Sequence, residues 1–471
     1  MVPPRRRKRN HYNLTRLAII LSLILVGLIV LAIALPGMLP PATAPTEPTL
    51  SLGTESTQPS IPPDTAPTQP PVVLESTATL AATGDILMHG PVIKSGLQPG
   101  GGYDFSSIFT YFADYVTSAD YAVANLETTL AGLTNGYDKY SGYPQFNCPD
   151  DMVTGLKNAG FDMLLTANNH SYDTRSIGLK RTQQVIADMG LSHLGTKPAA
   201  DAPNYLIADI NGIRIGMLCY TYEAHKPPED NPDYVFPYED KALNTIPIKP
   251  VDAPLINCFD YNYLDMFYAE MNQNIADMTE AEVDAVVMFI HWGDEYKIQQ
   301  NDKQSLIAQN LCDLGVDVII GGHPHVVQPV ELLTATDGSH KTVCLYSMGN
   351  AVSNQRISQM NLKTGHTEDG VLFSVTFTKY SDGTVILSDT NLLPLWVNHR
   401  ANAQGKWIYP ILPLDKQIED WKTQFDLTDT MLKNAQASHD RTMAIVGSGM
   451  QQAKEYLAQQ KAQTEAALGV N

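Results

Sequence analysis

The sequence predicts an α/β protein built in layers, and three observations lead there. Short apolar, β-branched runs alternate with amphipathic helical stretches through residues 77–350, the pattern of strands crossed by helices. Residues able to bind metal or move protons follow those runs at once: Asp85, Glu127, Asn169 with His170, His291, and His323 with His325. A hydrophobic fraction of 44% supplies enough apolar surface for a real core. Open α/β sheets place their sites at the carboxyl ends of the strands, so one alternation gives both the fold and a place for chemistry.

The N-terminus differs in kind. Residues 1–16 are a basic segment with Arg5, Arg6, Arg7, Lys8, Arg9 and Arg16, and residues 17–35 follow as 19 uncharged positions. As a helix that run spans roughly 28 Å, close to the hydrocarbon thickness of a bilayer. Basic residues ahead of it favour a cytoplasmic N-terminus with the rest of the chain extracellular. The expectation is therefore a single-pass transmembrane anchor in the cell membrane. A cleaved signal peptide is the rival reading, with Ala42-Thr43-Ala44 open to processing. Residues 36–76 read as a disordered linker, because Pro36–Pro71 hold 11 of the 31 prolines and few large apolar side chains. Fully extended, such a spacer reaches up to roughly 110 Å.

Charge narrows the partners. Residues 1–40 carry 6 of the 31 Lys and Arg and no Asp or Glu, which leaves 25 basic against 50 acidic side chains beyond them. A phosphate backbone needs a basic surface, so nucleic acid is not expected as a partner. Five cysteines show no metal-knuckle spacing and no even-numbered disulfide framework.

In chain order, 77–83 reads as a strand running into Gly84-Asp85. Phe105, Ile108, Phe109 and Phe112 have helical spacing over 105–114. Residues 121–124 form a strand that delivers Asn125-Leu126-Glu127, with Asn125 and Glu127 on one side of the extended chain. A helix over 151–159 closes at Gly160, and a strand over 161–166 ends in Asn168-Asn169-His170, with Asp173 able to orient the histidine. A helix over 177–189 follows. Residues 205–210 and 213–220 flank Asn211-Gly212, a strong hairpin turn. Regularity fades over 223–265, read as an excursion across the domain. A helix over 266–278, a strand over 285–290 ending in His291, and a helix over 302–314 lead to the strand 316–320 and Gly321-Gly322-His323-Pro324-His325. Strands at 343–346 and 371–378 complete a domain over 77–395, and 396–471 reads as a mostly helical extension.

Taken singly, each polar residue has a bland reading as a turn or core residue. Asp85, Glu127, Asn169, His291, His323 and His325 together make an O/N donor set with no cysteine. That is unlike a closed structural zinc site and suits a catalytic site for one or two borderline divalent ions such as Mn, Zn or Fe.

Gly84-Asp85, Asn125-Leu126-Glu127, Asn168-Asn169-His170, His291-Trp292-Gly293 and Gly322-His323-Pro324-His325 resemble the ordered motifs of the CapA family of poly-γ-glutamate capsule biosynthesis proteins. That family is in turn similar to the calcineurin-like metallophosphoesterases. The resemblance implies a layered metallophosphoesterase-like β-sandwich flanked by helices. It implies Asp85 and His325 on one ion, Asn169, His291 and His323 on the other, and Glu127 between them. His170, oriented by Asp173, would protonate a leaving group or stabilise a transferred phosphoryl group during in-line attack at phosphorus. Two positions depart from the metallophosphoesterase pattern: Leu87 stands where a second-position His is expected, and Glu127 stands for Asp.

Two function classes follow. In the first the chain is a surface-anchored metal-dependent hydrolase acting on a phosphoester or an anionic surface polymer. In the second it is a non-catalytic polymer-binding or export subunit beside other membrane subunits of a polymer synthase complex.

Overall fold

Side-chain alternation along single strands creates two cores at once. In the strand Leu74–Ile86, Ala78, Leu80 and Ala82 face one core while Ala81 and Ile86 face another. The strand Ala285–His291 does the same, with Val287 and Phe289 turned one way and Val286, Met288 and Ile290 the other. Successive residues of a strand point to opposite faces, so a run that is apolar throughout is covered on both sides. In the computed structural model, which describes residues 71–133, 136–415 and 418–470, this produces four layers: helices, sheet, sheet, helices.

The first sheet has eight strands. Its path runs Ile411–Pro413, Val385–Val397, Asp369–Tyr380, Leu74–Ile86, Tyr121–Asn125, Met163–Leu165 and Ser192–Leu194, with Asn350–Val352 joining Leu74–Ile86 off that path. The second has seven strands, ordered Val330–Thr334, Lys341–Leu345, Val318–Gly322, Ala285–His291, Ile213–Tyr222 and Tyr205–Ile210. Cys258–Phe259 pairs with Ile213–Tyr222 beside it. The central strands of both sheets are parallel, so their carboxyl ends lie at one edge. The inner faces meet in one apolar cluster containing Leu80, Val123, Met217, Phe289, Ile320 and Phe373.

Helices Asp151–Asn158 and Arg175–Asp188 cover the outer face of the first sheet. Helices Leu264–Glu280 and Asp302–Asp313 cover that of the second. The second of these starts in a reciprocal capping box between Asn301 and Gln304. The mixed α/β architecture agrees with the sequence expectation. One element does not: the helix expected over 105–114 is two short helices, Ser106–Phe109 and Ala113–Val116. Phe105, Ile108, Phe109 and Phe112 are nonetheless all buried, so the apolar spacing reported burial rather than continuity.

Residues 396–471, read as a mostly helical extension, also supply the edge strand Ile411–Pro413. The 40-residue helix Asp429–Leu468 lays Val446, Met450, Ala453 and Leu457 into the core between the sheets. Gly449 permits the approach, since a Cβ there would stand 1.8 Å from the Val330 carbonyl oxygen. The anchor expected at 17–35 and residues 36–70 of the expected linker lie outside the described residues; the linker's end, expected at 76, is corrected by the first strand, which begins at Leu74 and pairs there with Tyr380. Among those described, no helix is long and apolar enough to cross a membrane. All five cysteines are free thiols.

Candidate metal centre

Parallel pairing in both sheets brings the chemically capable residues to one edge. Asp85 stands opposite both Asn125 and Asn350, and His291 stands opposite Gly322. Glu127 lies two residues beyond its strand; Asn169 and His170 follow the strand Met163–Leu165; His323 directly follows Val318–Gly322. Asp85, His291 and His323 leave the stiff ends of buried strands, so their positions are set by the sheets, while Glu127, Asn169, His170 and His325 are carried by the short turns that follow.

Two groups of potential ligand atoms result, each within 4.8 Å of one another: Asp85, Glu127 and His325, and Glu127, His291 and His323. Glu127 belongs to both. His325 Nδ1 lies 3.1 Å from Asp85 Oδ2 and 3.2 Å from Asn350 Oδ1. His291 Nε2 lies 3.6 Å from Glu127 Oε1 and 3.1 Å from Asn169 Oδ1. These buried His, Asp and Glu groups could hold a metal ion.

Neutral protein would be a poor explanation for this arrangement. Glu127 is fully buried, yet neither carboxylate oxygen has a hydrogen-bond partner, and His323 Nδ1 has none either. A buried carboxylate without partners loses its hydration with nothing in return, a cost of several kcal/mol per ion by the usual order of magnitude. Burial, with Asp85 beside it, pushes the Glu127 carboxyl well above its ordinary range. Burial, and then the neighbouring imidazoles, push His291 and His323 well below theirs. His325 is pulled down most strongly by burial, but the hydrogen bond and charge of Asp85 outweigh this and its pKa is raised. Neutral imidazole is the ligating form, and a cation beside Glu127 would favour its carboxylate over the uncharged form that burial imposes.

The backbone is strained at the same place. His323 has φ 97° and His325 φ 57°, left-handed values that are uncommon for residues with a side chain. Gly322 leaves room for the neighbours, since a Cβ there would stand 3.2 Å from Asp85 Oδ1. Around this centre, Asn125 Nδ2 donates to Asp85 Oδ1 at 2.8 Å, and Asn168 Nδ2 donates to Asn125 Oδ1 at 3.1 Å.

His170 and Asp173 form a separate pair beside the cluster, Nδ1 to Oδ2 at 2.8 Å. The Phe146 N–H donates to the same Asp173 oxygen at 2.7 Å. The ring packs edge-on to Phe146 with centroids 4.6 Å apart.

Leu87, at the departure from the metallophosphoesterase pattern, is a buried core residue. His89 belongs to neither ligand group; its Nδ1 accepts the Asn354 N–H at 3.3 Å, and burial lowers it to about 4. Three neighbours escaped the sequence reading. Asn350 opens the strand Asn350–Val352 rather than following one, so it lacks the signal that identified the other residues. Tyr222, whose hydroxyl lies 3.1 Å from His323 Nε2, and Asn244, whose Nδ2 lies 3.4 Å from His170 Nδ1, carry no local mark.

Fold and site define a two-sheet α/β protein with a buried carboxylate shared between two histidine-containing ligand groups. The match to known families is more specific. Residues 79–355 match the model of the family described as "Bacterial capsule synthesis protein PGA_cap", and the chain belongs to that family. It is 26% identical over 311 residues to the capsule biosynthesis protein CapA of Bacillus anthracis, covering 66% of each chain. It is 28% identical over 275 residues to the PGA biosynthesis protein CapA of Bacillus subtilis strain 168, covering 58% of this chain and 62% of the relative. The match thus spans about two thirds of the length of these curated relatives.

Proposed function

We propose that this chain is a membrane-anchored, extracellular capsule-biosynthesis protein that acts as a metal-dependent, phosphoesterase-type hydrolase on an anionic surface polymer or a phosphoester precursor of it. The observation that carries the reading is the fully buried Glu127 carboxylate, unpartnered at both oxygens among Asp85 and three imidazoles. Membership of the capsule synthesis family and the names of the Bacillus relatives support the biosynthetic setting. The anchor rests on the apolar run at 17–35, and other membrane subunits of a polymer synthase complex are the natural partners of such an anchor.

Asp85, Glu127 and His325 would hold one ion, and Glu127, His291, His323 and Asn169 a second. Mixed carboxylate, amide and imidazole donors favour Mn, Fe or Zn over Ca or Mg. Bound there, the ions would supply positive charge to the reacting phosphoryl oxygens and make water a better nucleophile. The protein's own part falls to the histidine pair. With Nδ1–H donating to Asp173, His170 keeps its other ring nitrogen for proton transfer to the leaving oxygen. Asp173 fixes the ring and is itself fixed by the Phe146 N–H. Asn244 Nδ2 lies 3.4 Å from His170 Nδ1, on the Asp173 side of the ring, and helps to hold the imidazole in place.

The test combines metal analysis of the purified chain with phosphomonoesterase and phosphodiesterase assays on wild type, Glu127→Gln and His170→Ala. Metal-dependent turnover that falls in both variants, with metal lost only in Glu127→Gln, supports the hydrolase. Metal-free, inactive wild type that still binds polyanionic polymer would instead make it a binding or export subunit.

A further inference from the structure

We propose that Glu223, His225 and Asp260 form an additional site for a borderline divalent ion, which fastens the irregular excursion between the strand Ile213–Tyr222 and the helix Leu264–Glu280. The site shares no residue with the centre around Glu127.

Two parallel strand ends build it. Thr221 pairs with Cys258 and Tyr222 with Phe259, so Glu223 and Asp260 emerge side by side, and the Glu223 N–H donates to the Phe259 carbonyl at 2.7 Å. His225 lies two residues further on, its ring stacked on Phe236 with centroids 4.2 Å apart. One ligand atom from each of the three side chains falls within 4.8 Å of the others. Glu223 is 7% exposed, and neither its Oε2 nor His225 Nε2 has a hydrogen-bond partner, although the two atoms lie only 3.6 Å apart. Asn262 holds Asp260 in place through Oδ1, by its N–H at 2.7 Å and its Nδ2 at 2.9 Å.

Lys241 does not account for the cluster. Its Nζ engages only the other oxygen of Glu223, Oε1, at 2.6 Å. That pairing balances one of two carboxylates and leaves the facing Oε2 and Nε2 without a donor between them. One imidazole and two carboxylates suit zinc, manganese, iron or cobalt.

An ion here would act as a clip. Ala224 N–H donates to the Ala242 carbonyl at 3.0 Å, and Thr245 N–H donates to the Ala224 carbonyl at 2.9 Å. Fixing Glu223 and His225 therefore fixes the turn that carries Asn244 to His170. Tyr222, immediately before Glu223, contacts His323. The clip would hold two neighbours of the main centre without touching substrate.

Zinc and cobalt binding to the full chain tests this in a Glu127→Gln background, where the main centre is disabled. The expected result is one retained equivalent of zinc, lost when His225→Ala is added, with cobalt absorption bands lost in parallel. Zinc should also slow hydrogen exchange over residues 224–250 in the Glu127→Gln chain and not in the double variant. If the folded Glu127→Gln chain binds no zinc, or the double variant binds as much, the inference fails; the first measurement needs no substitution at the clip. The two readings separate: equal metal in wild type and Glu127→Gln defeats the main centre, yet leaves the clip standing if His225→Ala alone sheds one equivalent.

Discussion

Two buried carboxylates in this molecule are treated in opposite ways. Asp369, at the start of its strand, is almost completely enclosed and completely served: Arg441 Nε donates to Oδ2 at 2.8 Å, Arg441 Nη2 to Oδ1 at 2.7 Å, and Ser438 Oγ to Oδ1 at 2.6 Å. Those donors come from the long C-terminal helix, so the cluster ties that helix to the first sheet. Glu127 is buried at least as deeply and has no donor at either oxygen. The carboxylate that ties two elements together is surrounded by the protein's own donors, whereas the one without donors is left open to a ligand. The difference separates architecture from function where burial alone does not.

Substitution should break the comparison in different observables. The largest effect belongs to Glu127→Gln. Sharing by both ligand groups means metal affinity should fall by more than the roughly 10–100-fold that loss of an outer-shell partner costs. The metal-free variant should melt no lower than metal-free wild type, because burial already favours the uncharged Glu127 carboxyl there and the amide replaces it without a change of charge; calorimetry with and without metal reads both. His170→Ala comes next, with kcat down by about 10²–10⁴-fold, the usual contribution of a general acid, and metal content unchanged by elemental analysis. Arg441→Ala should do the reverse: about 3–5 kcal/mol of stability lost in denaturant unfolding, since Asp369 is stranded, with metal content intact.

Acidity sharpens the same contrast. Burial raises Asp369 to about 6, even against the lowering influence of Arg441. Without the arginine the carboxyl would rise further, so the variant takes up a proton at higher pH than wild type. The deficit of Arg441→Ala should therefore be full at pH 8 and shrink as pH falls towards about 6. Parallel unfolding curves at pH 8 and pH 5.5 check this, and a deficit that grew on acidification would contradict it. The smallest effect expected is for Tyr222→Phe, which removes one hydroxyl from His323 and should weaken metal binding by about tenfold, the low end for an outer-shell partner.

Much of the centre was legible because each candidate residue follows an apolar run, and parallel strands send their ends to one edge. Asp85, Glu127, His291, His323 and His325 are brought together in this way. What could not be read is set by pairings between distant segments. Tyr222 and His323 are separated by 101 positions, and Asn244 and His170 by 74. Neither partner carries a local pattern that marks the meeting. The Asp369–Arg441 contact was hidden for the same reason: a polar, Ala- and Gln-rich helix gives no sign that its Val446 and Leu457 close an inter-sheet core. Local spacing was also misleading at Phe105 and Phe112, where a helical repeat bridges two separate turns.

Anomalous diffraction from crystals of the manganese- or zinc-loaded protein tests the central claim most directly. The account predicts density at the metal's absorption edge against Glu127, bounded by Asp85 and His325 on one side and by His291 and His323 on the other, and its loss in Glu127→Gln. Crystals of loaded, folded protein with no anomalous peak at Glu127 would contradict it.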